Sequence, residues 1–306
     1  MTASAAFIGD TTWDTTIFAH AMPQPDEKVV VNVCVDSVGG VAANAAIACS
    51  IAGVEARLHS TVADDLPGEA IGKELARRGL DAHLETTRGA STRAVIVLDT
   101  AGEKRLFLYP GDRMYPSVEH ANHLSLDGVA WMHTALYNLD SAAAVIRRCR
   151  DASIRWSIDL EPATIPANLD ALHRHIDGCE AVIVNRRARQ AIGGDAVGRL
   201  FELGAASVIE TLGAEGVRLH RSAGEPVAVR PAPLAFPVVD TTGAGDAFAG
   251  WFVAERVLGT SIELALQRAV IAAADSVQQV GASVSYRARA DIFADLDSRQ
   301  IERQHQ

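Results

Sequence analysis

Short apolar runs alternate with amphipathic stretches along most of the chain. The apolar runs that predict strands are Ala6–Ile8, Val29–Val35, Arg57–Val62, Arg93–Leu98, Arg105–Tyr109, Val129–His133, Arg155–Asp159, Ala181–Val184 and Ser207–Thr211. The stretches with helical spacing are Ala42–Ala52, Gly68–Arg78, Ser141–Ala152, Arg186–Ile192, Ala196–Leu203, a long helix after residue 243, and Ser261–Val280. This alternation predicts an α/β fold, a mostly parallel central sheet with helices on both faces. Ligands bind such sheets beyond the carboxyl ends of the strands.

Two regions depart from this alternation, residues 10–36 and 89–113. Both alternate polar and apolar residues, and both contain turn signals, Pro23-Gln24-Pro25-Asp26 and Thr100-Ala101-Gly102-Glu103. This pattern is typical of β-ribbons rather than of strand–helix–strand crossovers. We therefore predict one domain over residues 1–306, with a small β lid built from these two segments.

Composition and charge narrow the class of protein. The chain has 306 residues, 48% hydrophobic and 22% charged, as in ordered globular proteins. Its net charge is −10, from 28 basic and 38 acidic residues, which argues against a nucleic-acid partner because no basic excess neutralises phosphates. The four cysteines, at positions 34, 49, 149 and 179, lie far apart and are expected to be buried thiols in a reducing compartment. We expect a cytoplasmic protein with no membrane partner, because no stretch resembles a secretion signal or a bilayer-spanning helix.

The most informative motif runs from Asp240 to Gly250, with the sequence DTTGAGDAFAG. It follows an apolar run and precedes an amphipathic stretch. Glycines 243 and 245 leave consecutive backbone N–H groups accessible to an anion at a helix N-terminus. Asp246 then lies in the first helical turn, beside that anion. A Gly-Ala-Gly turn with a capping aspartate is the alternative interpretation of these residues taken alone.

The complete motif resembles the C-terminal signature of the pfkB family of carbohydrate kinases, which have the ribokinase-like fold. Three further motifs follow the family's order: GGVAANAA at residues 39–46, ADDLPGE at 63–69 and TLGAEG at 211–216. The resemblance covers residues 6 to about 296.

The resemblance implies an ATP-dependent phosphotransferase that phosphorylates a hydroxyl of a small sugar or sugar derivative. Asp246 is expected to be the catalytic base, and the amides of Gly243, Ala244 and Gly245 to form the anion hole. Phosphoryl transfer depends mainly on positioning and charge stabilisation, so a strong base is unnecessary. We expect the helix N-terminus to lower the pKa of Asp246.

The resemblance also implies roles for three further groups of residues. The sugar-binding positions are Asp14, Gly40 and Asn44. The cofactor-binding positions, for ATP, are Asn185, Thr211, Gly213 and Gly216. The positions expected around a monovalent cation such as K+ are Asp240, Thr242, Gly281 and Ser285.

One feature of the family is missing. Relatives often carry Asn-x-x-Glu after a central strand, an element associated with Mg2+ and phosphate. Here Asn185 is present, but Ala188 replaces the carboxylate. We therefore expect Mg2+ to be held mainly by ATP phosphates and water, with a higher requirement for free Mg2+. Arg186 and Arg187 are either solvated or phosphate contacts, and Arg93 and Arg113 are candidates for contacting an anionic substrate.

Two other functions remain open. A nucleoside kinase would share the fold and motifs, with Trp13 and Phe18 as candidate walls for a base. A non-catalytic sugar-binding regulatory protein on the same fold would be favoured by the missing carboxylate and disfavoured by the intact Asp246 motif. By analogy with the lids of relatives, Val29–Val35 is apolar enough to be covered in a homodimer. The sequence does not identify the sugar.

Overall fold

The computed structural model describes residues 3–99, 104–231, 234 and 236–294. The strands are β1 (Ser4–Ile8), β2 (Thr12–Phe18), β3 (Val33–Gly39), β4 (Ala56–Ala63), β5 (Asp81–Thr87), β6 (Arg93–Leu98), β7 (Lys104–Tyr109), β8 (Val129–Ala135), β9 (Arg155–Leu160), β10 (Ala181–Asn185), β11 (Ser207–Thr211), β12 (Val217–Arg221) and β13 (Val227–Val229). The helices are α1 (Val41–Ile51), α2 (Leu66–Arg77), α3 (Val118–His123), α4 (Leu139–Asp151), α5 (His173–Ile176), α6 (Arg186–Ile192), α7 (Ala196–Glu202), α8 (Ala244–Val257) and α9 (Ile262–Ser276).

Most described strands belong to one large sheet, in the order β13-β12-β11-β10-β9-β8-β1-β4-β5. Neighbouring strands from β11 to β5 run parallel, whereas β12 and β13 are antiparallel additions at one edge. The carboxyl ends of β1, β8, β9 and β10 therefore meet at one edge of the sheet. This edge is where the predicted α/β fold expects its ligand.

Apolar side chains on the two faces of this sheet form two separate cores. Phe7 packs on one face with residues of α1, α2, α8 and α9, and Ile8 packs on the other with residues of α3 to α7. Successive strand residues point to opposite faces, so continuous apolar runs are what a sheet covered on both faces requires. The structure confirms the predicted α/β fold with helices on both faces.

Local sequence explains where several helices begin. The side chains of Asp65, Asn138 and Ser261 accept hydrogen bonds from backbone N–H groups in the first turns of α2, α4 and α9. Such caps satisfy N–H groups that have no partner inside the helix. Pro67 lies in the first turn of α2, where its missing N–H costs nothing.

Four strands form a second, smaller sheet, in the order β3-β2-β6-β7, which we call the lid. Strands β3 and β7 are the edges, and each pairs antiparallel with its neighbour, whereas β2 and β6 run parallel. The register places Asp14, Ala94 and Leu108 on one rung, and residues two positions along each strand share the same face. Ile96 and Leu98 on this face are buried, so we call it the inner face.

Several sequence expectations need correction. The lid strand predicted at Val29–Val35 is wrong in its bounds, because the strand is Val33–Gly39 and Val30 lies outside it, 80% exposed. Helix α9 ends at Ser276 rather than at Val280. Cys34 is exposed, so the expectation of buried thiols holds only for the other three cysteines. The predicted turn at Thr100–Glu103 lies outside the described residues.

Within the described ranges, no helix combines the length and apolar character needed to cross a membrane.

Candidate active site

The glycine-rich turn ends in the N-terminus of α8. Gly243 is the capping residue, with a left-handed φ of 76° that favours glycine. A Cβ atom here would also lie 2.6 Å from the Cβ of Ala282 and 2.7 Å from the hydroxyl of Tyr286. The Tyr286 hydroxyl donates a hydrogen bond to the Gly243 carbonyl at 2.7 Å. Packing against this loop therefore requires glycine at 243, independently of any anion.

There is open space beside the backbone of this turn. A Cβ at Gly245 would meet no atom within 4 Å, so the space beside its backbone is open. The first turn of a helix has N–H groups with no intrahelical acceptor, and they suit an anion. The Ala244 N–H is the exception among the expected donors, because it donates weakly to the Thr241 carbonyl at 3.4 Å.

Asp246 lies half-buried in the first turn of α8, and Asn44 of α1 contacts it. The Asn44 Nδ2 donates a hydrogen bond to Asp246 Oδ2 at 2.8 Å. The pKa of Asp246 is raised to about 8, mainly by burial. The charges of Glu161 and Asp10 also raise this pKa, whereas the hydrogen bond from Asn44 lowers it. The sequence-based expectation of a lowered pKa is therefore wrong, because loss of solvent and neighbouring carboxylates outweigh the helix N-terminus.

Asp10, Tyr137, Asp159 and Glu161 were not anticipated from the sequence. They lie at or just after the carboxyl ends of β1, β8 and β9, and the charges of the three carboxylates act on Asp246, on Tyr137 or on one another. Burial raises the pKa of Asp10 to about 6, while its carboxylate accepts hydrogen bonds from Val41 and Ala42 at the start of α1.

Glu161 and Asp159 make this edge acidic. Tyr137 donates a hydrogen bond to Glu161, and burial raises the pKa of the Tyr137 hydroxyl. Asp159 is only 8% exposed, and no described residue donates a hydrogen bond to its carboxylate. Burial and the charges of Glu161 and Asp246 raise the pKa of Asp159 well above its usual value. The only sequence signal was the position of these residues at the ends of apolar strands.

Gly39 makes room for the Asp14 carboxylate, and the adjacent Gly40 lies against the backbone of Asp10 and Thr11. A Cβ at Gly39 would lie 1.9 Å from Asp14 Oδ2, so glycine leaves the space that the carboxylate occupies. Gly40 has a φ of 100°, and a Cβ there would lie 2.7 Å from the Asp10 carbonyl. Asp14 is buried, which raises its pKa, and it accepts a hydrogen bond from the Thr12 hydroxyl. The carboxylate is thus fixed against the start of α1.

Asn44 has a free acceptor beside these groups. Its Oδ1 is buried and has no hydrogen-bond partner within the described structure, although its Nδ2 is bound to Asp246. An unpaired buried carbonyl oxygen is costly unless a ligand donates to it. A hydroxyl group is such a donor. The structure therefore brings Asn44, a predicted sugar-binding residue, into contact with the predicted base.

The predicted nucleotide positions lie at the carboxyl ends of β10 and β11. Thr211 ends β11, and Gly213 has open space beside it, where a Cβ would meet no atom within 4 Å. Gly216 has a φ of 86°, and a Cβ there would lie 2.1 Å from the Val229 carbonyl. Gly216 is therefore required by the turn before β12. Asn185 caps the N-terminus of α6, where its Oδ1 accepts a hydrogen bond from the Ala188 N–H. The side-chain NH2 group of Asn185 is not used in this cap.

The positions predicted around a monovalent cation are linked through Asp240. This buried carboxylate accepts hydrogen bonds from the Thr242 N–H at 2.9 Å, the Thr242 hydroxyl at 2.6 Å and the Gly281 N–H at 2.9 Å. The Ser285 hydroxyl donates to the Ala282 carbonyl at 2.7 Å. Asp240 thus joins the glycine-rich turn to the loop that follows α9.

Arg93, Arg113 and Arg186 each have a carboxylate partner. Arg113 pairs with Glu85 at 2.7 Å, Arg93 lies 3.6 Å from Asp65, and Arg186 pairs with Glu215 at 2.8 Å. Arg93 and Arg113 therefore do not offer unpaired charges to a substrate.

Ala188 is fully buried in the core formed with α3 to α7. A carboxylate at this position would enter an apolar core in this structure.

Comparisons with known proteins show the family and the fold of the chain. The model of the pfkB family carbohydrate kinases matches residues 2–289. The 2-dehydro-3-deoxygluconokinase of Thermoproteus tenax is 32% identical over 78% of this chain and 78% of its own length. The ATP-dependent ribose-1-phosphate kinase of Halopiger xanaduensis is 28% identical over 85% of this chain and 87% of its own length. The structure of Arabidopsis thaliana ribokinase complexed with ribose and ATP superimposes with a TM-score of 0.80, at 21% identity over 96% of this chain and 98% of that one.

The fold and the family match therefore define a carbohydrate kinase. The chain belongs to the pfkB family, because the family model spans nearly all of it. The sequence-based assignments of family, ribokinase-like fold and sugar kinase activity are confirmed.

Proposed function

We propose that this kinase transfers the γ-phosphate of ATP to a hydroxyl of a small uncharged sugar. Asp246 accepts the hydroxyl proton, and the 243–245 backbone faces the transferred phosphoryl group. Asp14, Gly40 and Asn44 hold the sugar. The observation that supports this proposal most strongly is the hydrogen bond of 2.8 Å from Asn44 Nδ2 to Asp246, with the side-chain oxygen of Asn44, Oδ1, left unpaired. A substrate hydroxyl that donates to this oxygen lies beside the proton acceptor.

The charges of the site support an uncharged sugar. Asp10, Asp159, Glu161 and Asp246 are acidic groups of one edge that act on one another electrostatically, and the lid adds the buried carboxylate of Asp14. The lid arginines 93 and 113 are paired elsewhere, and the charge of the lid residue Lys104 acts on the carboxylates of Asp14 and Asp246. A carboxylate or phosphate on the sugar would be repelled by these groups unless they took up protons. This preference would separate the enzyme from its 2-dehydro-3-deoxygluconokinase and ribose-1-phosphate kinase relatives.

A substrate panel tests this proposal. Purified enzyme with MgATP is assayed for ADP release on ribose, 2-deoxyribose, fructose, ribose 1-phosphate, 2-dehydro-3-deoxygluconate, fructoselysine and adenosine. The proposal expects kcat/KM at least tenfold higher for an uncharged sugar than for either acidic one. A preference for an acidic sugar would contradict the charge argument, and turnover of adenosine alone would support a nucleoside kinase.

The lid argues against the nucleoside alternative. Trp13 and Phe18 are five positions apart on β2, so their side chains point to opposite faces of the lid. Trp13 packs against the core that includes Phe7. The two aromatic residues therefore cannot form two walls of one base pocket.

Mg2+ fits the site as a partner of ATP rather than as a resident metal. The described residues contain no group of three or more histidine, cysteine, aspartate or glutamate side chains arranged to hold a metal. The pairing of β9 with β10 continues to place Glu161 level with Asn185, and Asp159 lies two residues before Glu161 on the same face of β9. Oxygen donors of this kind suit Mg2+ and its bound water. We propose that Glu161 and Asp159 supply the carboxylate that Ala188 lacks, while the metal neutralises phosphate charge.

A monovalent cation such as K+ beside the glycine-rich turn would take its ligands mainly from backbone carbonyls. Both Asp240 oxygens already accept hydrogen bonds from Thr242 and Gly281. We propose that the ion, where bound, orders the turn and the loop after α9, which include Thr242, Gly281 and Ser285.

We also propose that a second copy of this chain covers the lid. Edge strand β7 is exposed along its whole length and carries Leu106, Phe107, Leu108 and Tyr109, each 45–58% exposed. Val33, Val35 and Val95 add exposed apolar surface on the same sheet. An open strand edge with apolar side chains favours pairing with another chain. Sedimentation should show a homodimer for the wild type and a monomer for Phe107→Glu; a monomeric wild type would contradict this.

A further inference from the structure

Lys104 extends from the lid to the glycine-rich turn. It is the first residue of β7 and is paired with Leu98, which places it on the inner face with Asp14. Its Nζ lies 3.4 Å from the hydroxyl of Thr242, the residue before Gly243. The lid thereby contributes a cation at the edge of the expected anion hole.

The charge of Lys104 acts both on Asp14, the proposed sugar ligand, and on Asp246, the proposed base. It lowers the pKa of Asp14 and that of Asp246, against the burial that raises both. The other groups that interact with Asp246 are the neutral Asn44, Tyr137 and Tyr286 and the acidic Asp10, Asp159 and Glu161. The ammonium group of Lys104 therefore acts on the proposed sugar ligand and on the proposed base, and it contacts the turn of the proposed anion hole.

We propose that Lys104 is a catalytic residue that contacts the transferred phosphoryl group during the reaction. This inference rests on the proposed roles of Asp246 and the 243–245 backbone. The sugar oxygen bonds to the γ-phosphorus as the bond from that phosphorus to the β–γ bridging oxygen breaks. The bridging electron pair leaves with ADP, and the hydroxyl proton passes to Asp246. Lys104 keeps its protons throughout and balances the negative charge of the phosphoryl oxygens.

The surrounding charges explain why a lysine is useful here. The transition state spreads negative charge over three phosphoryl oxygens, so fixed positive groups lower its energy. The site itself is rich in carboxylates, which repel those oxygens. Backbone N–H groups provide partial charges only, whereas Lys104 provides a full charge on a flexible stem.

The test compares Lys104→Met, Lys104→Arg and Arg105→Gln. Methionine keeps the apolar stem and removes the charge, and arginine restores the charge. Arg105 is the matched control, because the next residue of the strand points to the opposite face and it pairs with Asp99. The substrate is the sugar with the highest kcat/KM in the panel above.

The expected result is a loss specific to turnover. In Lys104→Met, kcat falls by about 10²-fold or more, on the scale of removed cationic groups in phosphoryl transfer. The KM for the sugar and the affinity for MgADP change by less than about threefold. Lys104→Arg recovers at least a tenth of the wild-type kcat, and Arg105→Gln is unchanged. The acid limb of the kcat profile also moves to higher pH in Lys104→Met, because a cation that stabilises ionised Asp246 is lost.

Other results overturn the inference. A raised KM with unchanged kcat would make Lys104 a sugar-binding residue, and equal losses in Lys104→Met and Lys104→Arg would make its charge irrelevant. Wild-type kcat in Lys104→Met, with Asp246→Asn impaired, would refute this inference alone. Wild-type kcat in Asp246→Asn would instead refute the proposed function on which it rests.

Discussion

Replacement of Gly39 by alanine tests the placement of Asp14 by geometry alone. The added Cβ would lie 1.9 Å from Asp14 Oδ2, 2.5 Å from its Cγ and 2.8 Å from its Oδ1. An ordinary contact begins near 3.4 Å, so the carboxylate must retreat by about 1.5 Å. The backbone at Gly39 is outside the left-handed region, so alanine itself introduces no strain there. The variant therefore displaces a proposed sugar ligand without changing any polar group.

The expected loss follows from the hydrogen bonds that this displacement breaks. Hydrogen bonds to a charged group contribute about 1.5–3 kcal/mol each. Loss of one such contact to a sugar hydroxyl lowers kcat/KM by about 10- to 100-fold, since about 1.4 kcal/mol corresponds to a factor of ten. The affinity for MgADP should change little, because Asp14 belongs to the lid.

The assay measures kcat/KM for the best sugar of the panel at saturating MgATP. Gly72→Ala is the control, because a Cβ there meets only Leu84 Cδ1 at 3.9 Å. The Gly39→Ala/Asp14→Ala double variant should be no worse than Asp14→Ala, because the obstructed carboxylate is gone. If Gly39→Ala and Asp14→Ala both keep wild-type kcat/KM, Asp14 does not contact the sugar and the reasoning is refuted.

Three further predictions concern pH, cations and Ala188. Because ionised Asp246 accepts the proton and its pKa is about 8, kcat/KM should rise with pH through that value. Asn44→Ala should move this limb up by about one unit, since its hydrogen bond stabilises the ionised form; an unmoved limb would separate Asn44 from the base. Replacing K+ by a bulky organic cation at fixed ionic strength should lower activity reversibly, and indifference to the cation would remove the proposed ion. Ala188→Glu should lower the free energy of unfolding in urea by several kcal/mol, about the cost of an unpaired buried polar group, without reducing the Mg2+ requirement; a stable variant that needs less Mg2+ would contradict the burial argument.

Local motifs carried most of what the sequence predicted correctly. Gly39 and Gly40 stand beside Asp14 and Asn44 because a tight approach leaves no room for Cβ atoms, and such constraints leave a readable pattern. The turn before α8 is similar. These residues identified the family and the candidate site from a few short segments.

Residues that only the topology brings together could not be predicted. Asp10 lies far along the chain from Asp159 and Glu161, and all three stand at or just after the ends of apolar strands with no further signal. Their proximity depends on strand order, with β1 next to β8 and β8 next to β9. The pKa of Asp246 was predicted to be lowered, and this prediction is wrong for the same reason: the sequence does not show that carboxylates distant in the chain lie beside Asp246.

The lid shows a second limit of pattern reading. Val29–Val35 looked like a strand because it is apolar, but the edge strand begins at Val33 and its apolar residues are partly exposed. An apolar run in the sequence predicts that its side chains are buried. The sequence does not distinguish burial in the protein's own core from burial against another molecule.

The turnover of Asp246→Asn tests the central claim most directly. Asparagine keeps the size of the side chain, and its amide oxygen can still accept from Asn44 Nδ2, but it cannot take up the hydroxyl proton. The account predicts that kcat for the best sugar falls by about 10²-fold or more, the scale of general-base loss, while MgADP binds as in the wild type. A kcat within threefold of the wild type would show that Asp246 is not the proton acceptor.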